Sequence, residues 1–313
     1  SAASDVYKRQ REDKVYRITP RQNDAVNSCW MPDSHRLNYK YINAETRIPQ
    51  PVIRTDAEAP HRPSTWEPAL ASAAEAVKRI APNQLAIIAS GRMTNEELYM
   101  VRHLAAQIGT DMVDIVLRMG ESDGMLISAD RNPNTNGARL VLDIEPGSKL
   151  DAIREGVRSG SIKGILSLGE DLISPEAGFT AEDLDKLDYL FMTAHSANET
   201  ARHADLVLPG VTYAEKFGTM INVTGRIQRL NRAIQPIGYA RDDWQIFRDI
   251  TLLLGGNPAL KDFNSALDIL TAMSTEYGAL NGVSWGSIGD GGQPILETGV
   301  TIPVVEREKN QGR

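Results

Sequence analysis

The chain has a single cysteine, Cys29, among its 313 residues. One cysteine excludes a disulfide within the chain. It also excludes an iron–sulfur or zinc site made only from cysteines of this chain, because such sites need several thiolates. No apolar run approaches the roughly 20 residues that cross a bilayer, and no charged and apolar leader precedes a small-residue cleavage site. We therefore expect a cytoplasmic protein without direct membrane insertion.

An excess of positive charge is also missing. The 34 Lys and Arg residues are outnumbered by 41 Asp and Glu residues, which gives a net charge of −7. Because nucleic-acid binding needs a local surplus of cations for the phosphates, we expect no nucleic-acid partner. The 41% of hydrophobic residues is enough to bury the core of one large domain or two modest ones.

The first ten residues look foreign to the rest of the chain. The run Asp5-Val6-Tyr7-Lys8-Arg9-Gln10 resembles the translation of an adapter used in sequencing libraries. We therefore treat residues 1–10 as an adapter-like scar that has no packed partner, with a flexible native tail as the alternative. The next residues begin inside a strand pattern, so we expect an N-terminally truncated fragment of a longer protein.

The remaining chain divides into three predicted parts. Residues 11–60 contain short alternating apolar positions and then prolines at 49, 51 and 60, which predict a small β-rich remnant and an extended linker. Residues 61–256 form the main domain, and residues 257–313 are a C-terminal extension. A boundary is expected near Pro60.

The main domain shows apolar strand patterns that alternate with helical patterns. Strands are predicted at 85–89, 140–144, 164–168, 189–192 and 205–208, with helices at 66–80, 95–108, 148–159 and 184–186. Such alternation predicts a doubly wound α/β fold with a mostly parallel sheet, because crossover connections place helices on both faces. A β-hairpin at 219–223 and 226–230, a helix at 242–254, a loop at 282–292 and a strand at 302–305 are predicted to follow.

Two sequence blocks resemble a known family. The first block, 25–37, is similar to the Asn-x-x-Trp-x-x-Asp-x-x-Arg-Phe segment that closes the iron–sulfur lobe in the large subunit of respiratory complex I, the NADH:quinone oxidoreductase. The second block, 200–244, resembles the molybdopterin oxidoreductase signature. Its matching residues are Thr200, Ala201, Ala204, Asp205, Val207, Leu208, Pro209, Glu215, Lys216, Gly218, Thr219, Asn222, Gly225, Arg226, Gln228, Ala240, Arg241, Asp243 and Trp244.

The resemblance implies a function in electron transport. The chain looks most similar to the large iron–sulfur subunit of complex I, which implies a scaffold that assembles with an NADH-oxidising subunit and other partner subunits. Electrons would pass from NADH through iron–sulfur clusters held elsewhere, and the protein would be peripheral to the inner membrane. The alternative is a fragment of an active enzyme that binds the molybdopterin–guanine dinucleotide, such as a formate dehydrogenase.

Departures from the family pattern shape the cofactor predictions. Pro32 stands where relatives with a cluster in this lobe have their last cysteine, and Cys29 lies three residues earlier, where we expect a buried or half-exposed structural thiol. No Cys-His pair is present to ligate molybdenum or tungsten. We therefore expect no metal and no cofactor in this chain. A 4Fe–4S cluster would belong to the full-length protein, and molybdopterin is not expected.

Six residues mark a predicted crevice at the carboxyl ends of two strands. They are Gly169, Glu170, Asp171, His195, Glu199 and Thr200. The first three resemble a family loop that touches the pterin–guanine dinucleotide, so the resemblance implies a vestigial pterin-dinucleotide crevice. The alternative is an ordinary turn with an acidic helix start and a capping threonine. No catalytic residue is predicted, because no nucleophile, base and acid fall in a recognisable motif.

Overall fold

The computed structural model describes residues 6–55 and 59–310. It begins with strands β1 (Val6–Arg11) and β2 (Lys14–Pro20), which pair antiparallel. The expectation that residues 1–10 have no packed partner is therefore wrong for residues 6–10, whose backbone pairs with β2. Residues 1–5 lie outside the described residues. Lys8 also reaches across to donate to the carbonyl oxygen of Asn231 at 2.7 Å.

The N-terminal lobe continues with helix α1 (Asp33–Leu37) and a 3-10 helix (Lys40–Asn43). Its small core includes Val15, Ile18 and Ile42, which pack with Ala214 and Ile234 from a segment much later in the chain. Two-residue strands follow, β3 (Val52–Ile53) and β4 (Arg62–Pro63). The described residues on either side of positions 56–58 add two antiparallel strands to the edge of the main sheet.

The main sheet is formed by strands that alternate with helices along the chain. These elements are α2 (Trp66–Arg79), β5 (Leu85–Ala89), α3 (Asn95–Ile108), β6 (Val113–Ile115), α4 (Thr135–Leu142), α5 (Leu150–Ser159), β7 (Gly164–Leu168), α6 (Ala181–Leu184), β8 (Tyr189–Ala194), α7 (Glu199–His203) and β9 (Leu206–Pro209). The strand order is β4-β3-β9-β8-β7-β5-β6, and β5 to β9 are parallel. This arrangement confirms the predicted doubly wound, mostly parallel α/β fold.

Burial on both faces explains why these strands are continuously apolar. Leu85 and Ile87 belong to the hydrophobic core on one face of the sheet, whereas Ala86 and Ile88 belong to the core on the other face. Successive side chains of a strand point to opposite faces, so a strand covered by helices on both sides needs apolar residues at every position. The chain leaves β5 towards β6 and then returns to place β7 on the other side of β5. The winding direction therefore reverses between β5 and β7.

The C-terminal part packs a hairpin and further helices against this sheet. Its elements are β10 (Gly218–Ile221), β11 (Arg226–Leu230), α8 (Asp243–Leu253), α9 (Ala266–Glu276), α10 (Trp285–Ile288), β12 (Gln293–Pro294) and α11 (Pro303–Asn310). The predicted hairpin is confirmed, with β10 and β11 antiparallel. Its turn needs glycine at position 225, because φ is +78° there and a Cβ would overlap the carbonyl oxygen of Leu296.

Several predicted elements differ from the structure. The strand predicted at 140–144 is wrong, since this run overlaps the end of α4, where Ala138, Val141 and Leu142 are buried at helical spacing. The strand predicted at 302–305 is also wrong, because α11 begins at Pro303. The predicted loop 282–292 contains one helical turn, α10, and β6 was not predicted. Cys29 is exposed, so the expected buried or half-exposed thiol is wrong as well. Across the described ranges, no helix is both long enough and apolar enough to span a bilayer.

Candidate functional site

A cavity of about 800 Å³ opens at the carboxyl ends of the parallel strands. Its sheet side is formed by Ser90, Gly169, Ala194 and Gly210, which stand at or just after the ends of β5, β7, β8 and β9. The ends of β5 and β7 flank the point where the winding reverses, and open α/β sheets bind ligands in that crevice. The volume lies within the range of small-molecule and cofactor pockets, roughly 300–1,000 Å³.

The opposite walls come from the N-terminal lobe and from the hairpin. Ile18 and Tyr41 line the cavity from the lobe, and Met220 and Gln228 line it from β10 and β11. The cavity is therefore enclosed by parts of the chain that are more than 200 residues apart in sequence. A ligand bound here would contact the sheet, the lobe and the hairpin together.

Cationic side chains dominate the charge around this cavity. The lining includes Lys8, Arg21, Arg92, Arg131, Lys216, Arg229 and Arg232, whereas its acidic residues are Asp243 and Asp290. The two lining histidines add no charge at neutral pH, because burial lowers the pKa of His35 and of His195 to about 4. A cavity of this kind in a protein of net charge −7 favours an anionic ligand.

Arg92 is the cation best placed to meet such a ligand. It follows β5 in the loop Ser90-Gly91-Arg92, and its backbone amide donates to the Ser90 hydroxyl at 3.2 Å. Its side chain is exposed and lines the cavity, and within residues 6–55 and 59–310 the guanidinium has no hydrogen bond or ion pair. Guanidinium groups bind phosphate oxygens through paired charge-assisted hydrogen bonds. Arg92 is therefore available for an anion without breaking an existing contact.

Lys216 carries a charge that is already balanced. Its ammonium lies 2.6 Å from a carboxylate oxygen of Glu97 and 3.6 Å from one of Asp243. Burial alone would lower the pKa of Lys216, but the two carboxylates outweigh this effect and raise its pKa above the ordinary value. Burial also raises the pKa of Asp243 to about 6, against the attraction of Lys216. Lys216 therefore stays protonated, and its charge is balanced by Glu97 and Asp243.

Two of the six predicted crevice residues line the cavity. Gly169 lines the cavity directly after β7, and its φ of +73° is a backbone conformation that favours glycine. His195 lines the cavity from the segment after β8. The structure therefore brings Gly169 and His195 to one site.

The other four predicted residues make hydrogen bonds and ion pairs with residues around the turns. Glu170 is buried and makes a bidentate ion pair with Arg118 at 2.9 and 2.5 Å. The Thr200 hydroxyl donates to Asp171 at 2.7 Å and accepts from the amide of Leu172 at 2.7 Å. Glu199 pairs with Arg202 on the same helix. These contacts are structural, but they differ from the predicted acidic helix start and capping threonine: turns follow Asp171, and Asn198 caps α7. The part of these four residues in binding stays a prediction.

Sequence reasoning missed Arg92 and the partners of the charged hairpin residues. A Ser-Gly-Arg run directly after a buried strand was a usable signal for Arg92, because strand ends of this kind form ligand crevices. Glu215 pairs with Arg47, and Arg226 donates to the carbonyl oxygen of Gly292. Nothing in the local sequence indicates these long-range partners. Among the described residues, no three His, Cys, Asp or Glu side chains group as metal ligands.

The fold and the cleft define a doubly wound α/β protein with a cation-lined site at its switch point. Acetylene hydratase from Pelobacter acetylenicus has the same fold, with a TM-score of 0.67 over 93% of this chain and 72% of that chain, at 9% identity. Residues 130–251 match the family model described as molybdopterin oxidoreductase. This match includes the second sequence block, 200–244, and supports the molybdopterin oxidoreductase family that this block predicted. The first block, 25–37, lies outside the matched residues, which are less than half of the chain.

Curated relatives match part of the chain. A protein named "Putative formate dehydrogenase" from Staphylococcus haemolyticus is 32% identical over 144 residues, which are 45% of this chain and 15% of the relative. The alpha subunit of NADPH-Fe(3+) oxidoreductase from Geobacter sulfurreducens is 33% identical over 136 residues, which are 43% of this chain and 16% of that subunit. The chain thus matches about a sixth of the length of these relatives. Similarity to a complex I subunit in particular stays a prediction.

Proposed function

We propose that this chain is the α/β part of a molybdopterin oxidoreductase of the formate dehydrogenase-like kind, and that its cavity binds the pterin–guanine dinucleotide. The observation that carries the proposal is the cation-lined cavity at the switch point, with Arg92 beside the end of β5, whose guanidinium has no ion pair or hydrogen bond to any residue that the structure describes. The relatives named formate dehydrogenase and NADPH-Fe(3+) oxidoreductase support this alternative over the complex I scaffold.

The residues present fit a dinucleotide. Arg92 offers an unpaired cation to the phosphates, and Gly169 keeps the end of β7 free of a side chain, so that the ligand can approach the backbone. The bound group would supply a metal centre that exchanges electrons with the substrate. The absence of a Cys-His pair and the presence of Pro32 concern metal ligands and a cluster. Neither feature argues against dinucleotide binding.

The test is the pterin content of the purified chain. We would express the chain in a host that makes the molybdenum cofactor, extract and oxidise the bound pterin, measure its fluorescence, and measure molybdenum and tungsten by elemental analysis. We expect pterin in the wild-type chain and much less in Arg92→Gln. Arg79→Gln is the matched control, because Arg79 is exposed on α2 and, among the described residues, forms its ion pair with Glu75 one helical turn away. Wild-type protein without pterin from such a host would overturn the proposal.

The complex I-like scaffold is the second candidate. Pro32 favours it, because this residue stands where relatives with a cluster in the N-terminal lobe have a cysteine. A scaffold would be free of pterin and would assemble with an NADH-oxidising subunit. Co-expression with such a subunit, followed by size-exclusion chromatography, therefore separates the two candidates. A stable complex without pterin supports the scaffold, and a pterin-loaded chain without such a complex supports the enzyme.

A further inference from the structure

One wall of the cavity consists of three rings, Tyr41, His195 and Tyr213, which we name the aromatic wall. All three are half-buried and line the cavity. Tyr41 stands between the other two, with its ring centroid 5.2 Å from that of His195 and 6.5 Å from that of Tyr213. The rings come from three separate segments: the 3-10 helix of the lobe, the end of β8, and the stretch after β9.

The aromatic wall is uncharged at neutral pH and has free polar groups. Within the described parts of the chain, the hydroxyls of Tyr41 and Tyr213 have no hydrogen-bond partner. The Nδ1 of His195 lies 2.8 Å from the Ser196 hydroxyl, which leaves Nε2 for a ligand. Burial raises the pKa of Tyr41 to about 12 and lowers that of His195 to about 4. These rings therefore offer flat apolar faces and neutral hydrogen-bonding groups in a cavity whose other walls are cationic.

A buried ion pair ties the three segments that carry these rings. Arg47 and Glu215 are almost fully buried, and one guanidinium nitrogen lies 2.7 and 2.9 Å from the two carboxylate oxygens. The Nε of Arg47 donates to the carbonyl oxygen of His195 at 2.9 Å, and its Nη1 donates to that of Ile42 at 2.7 Å. Ile42 directly follows Tyr41 in the chain.

This ion pair connects the backbone segments that carry the three rings. Glu215 lies two residues after Tyr213, so the pair connects the backbone next to every ring of the aromatic wall. A buried ion pair adds little stability by itself, because both charges lose their hydration. Fixing the positions of Tyr41, His195 and Tyr213 relative to one another is a role that explains its place in the fold.

We infer that the aromatic wall binds the planar nitrogen heterocycle of a phosphate-bearing ligand, whose phosphates lie towards Arg92. The inference rests on the proposed function and deepens it by assigning a separate wall to the heterocycle. Lys8 lies 5.2 Å from the ring centroid of Tyr213, so stacking falls mainly on Tyr41 and His195. Aromatic rings stack on any base, and the free hydroxyls and the imidazole nitrogen can meet the polar edge of the heterocycle.

Three probes distinguish binding of the heterocycle from binding of the phosphates. We would titrate the full chain with GDP, guanosine and inorganic pyrophosphate by calorimetry. Stacking on one side chain contributes about 1–3 kcal/mol, so Tyr41→Ala should weaken GDP and guanosine at least about fivefold and leave pyrophosphate unchanged. Tyr41→Phe keeps the ring and should stay within about twofold of wild type for all three probes. Arg92→Gln should weaken GDP and pyrophosphate but not guanosine.

The same titrations include a control variant outside the cavity. Tyr16→Ala, which removes an exposed ring on β2, should bind all three probes as wild type does. If Tyr41→Ala does not fold, as judged by circular dichroism, His195→Ala replaces it with the same expected selectivity. GDP binding no tighter than pyrophosphate, or a Tyr41→Ala that weakens pyrophosphate as much as GDP, would overturn the inference. A purified chain without pterin would defeat the proposed function alone, since the guanosine titration reports the aromatic wall independently.

Discussion

Glu215 is the buried counterion of Arg47, whose guanidinium also binds the backbone beside Tyr41 and His195. Besides Arg47, it accepts hydrogen bonds from the amide and the hydroxyl of Thr212 at 2.7 and 2.8 Å. Its side chain is 1% exposed and that of Arg47 is 2% exposed, so neither charge has water as an alternative partner. The loss of one member of such a pair leaves an uncompensated buried charge.

Replacing Glu215 by Gln should therefore lower the free energy of unfolding by about 3–5 kcal/mol, because Arg47 would keep its buried charge without a counterion. Urea unfolding followed by circular dichroism measures this loss. The matched control is Glu145→Gln, which breaks the exposed pair with Arg139 and should change stability by about 0–1 kcal/mol. Equal losses for the two variants would contradict the role given to the buried pair.

Glu96 should make stability depend on pH. Burial raises the pKa of Glu96 to about 7, although hydrogen bonds from Thr219 act in the opposite direction. The ordinary value is 4.5, so between about pH 4.5 and pH 7 the native state holds a proton that the unfolded chain has lost. The contribution of this carboxyl to stability therefore falls as pH rises through that window.

Glu96→Gln removes this titration, so its stability relative to wild type should improve by up to about 3 kcal/mol between pH 4.5 and pH 8. Urea unfolding at each pH gives the difference, in which the contributions of the other groups cancel. Glu176→Gln, at an exposed position, is the control for the Glu-to-Gln substitution itself. A flat difference for Glu96→Gln across this range would show that Glu96 is ionised in the native state throughout it.

At the scale of elements, the sequence predicts those helices and strands whose type is set by the local pattern of apolar and polar residues. The bounds predicted for β5, α3 and β7 match the structure, because each is a long apolar or amphipathic run with clear ends. Short apolar runs fit a strand or a helix equally well. The two runs predicted as strands at 140–144 and 302–305 overlap α4 and α11, where tertiary packing favours the helix. The two-residue strands β3 and β4 exist only through pairing at the edge of the sheet.

The same limit applies to the candidate site. Residues at strand ends, such as Gly169 and His195, were predictable because parallel strands end at one edge of the sheet. Arg47 and Glu215 are 168 positions apart, and no local pattern links them. The aromatic wall and the ion pair behind it therefore required the folded structure.

The junction of α3, α4 and β10 is an element-scale feature with its own prediction. Asn134 donates to Asn95 at 3.0 Å and accepts from the amide of Ile221 at 2.7 Å, which ties the three elements together. A Cβ at Gly137 would overlap the amide oxygens of Asn95 and Asn134. Gly137→Ala should therefore lower the free energy of unfolding by about 1–3 kcal/mol through overpacking.

Gly286→Ala is the matched control for this junction. Gly286 lies in helix α10, and the nearest atom to its added Cβ would be 3.9 Å away. Alanine should raise stability there by about 0.4–1 kcal/mol, because it restricts the unfolded chain without creating a clash. Urea unfolding measures both variants. The explanation fails if Gly137→Ala is as stable as Gly286→Ala.

On the scale of the whole molecule, charge is unevenly distributed. The protein carries a net charge of −7, yet most ionisable residues around the cavity at the strand ends are cations. Lys216 is balanced by Glu97 and Asp243, and Arg229 by Asp290, so Arg92 contributes a larger share of the attraction than the number of lining cations indicates. An anion should therefore enter the cavity despite the overall negative charge, and the attraction should weaken with salt.

Inorganic pyrophosphate should therefore raise the melting temperature of the wild-type chain. Binding to the native state adds about 2.7 kcal/mol of stability at 100 times the dissociation constant, which corresponds to several degrees for a protein of this size. The increase should shrink as sodium chloride is raised from about 0.1 M to 1 M, because the screening length falls from about 10 Å to 3 Å. Differential scanning fluorimetry measures it. Arg92→Gln should lose most of the increase, and Arg79→Gln should keep it. If both variants respond as wild type does, pyrophosphate acts as a general stabilising salt, and Arg92 is not the residue that receives the anion.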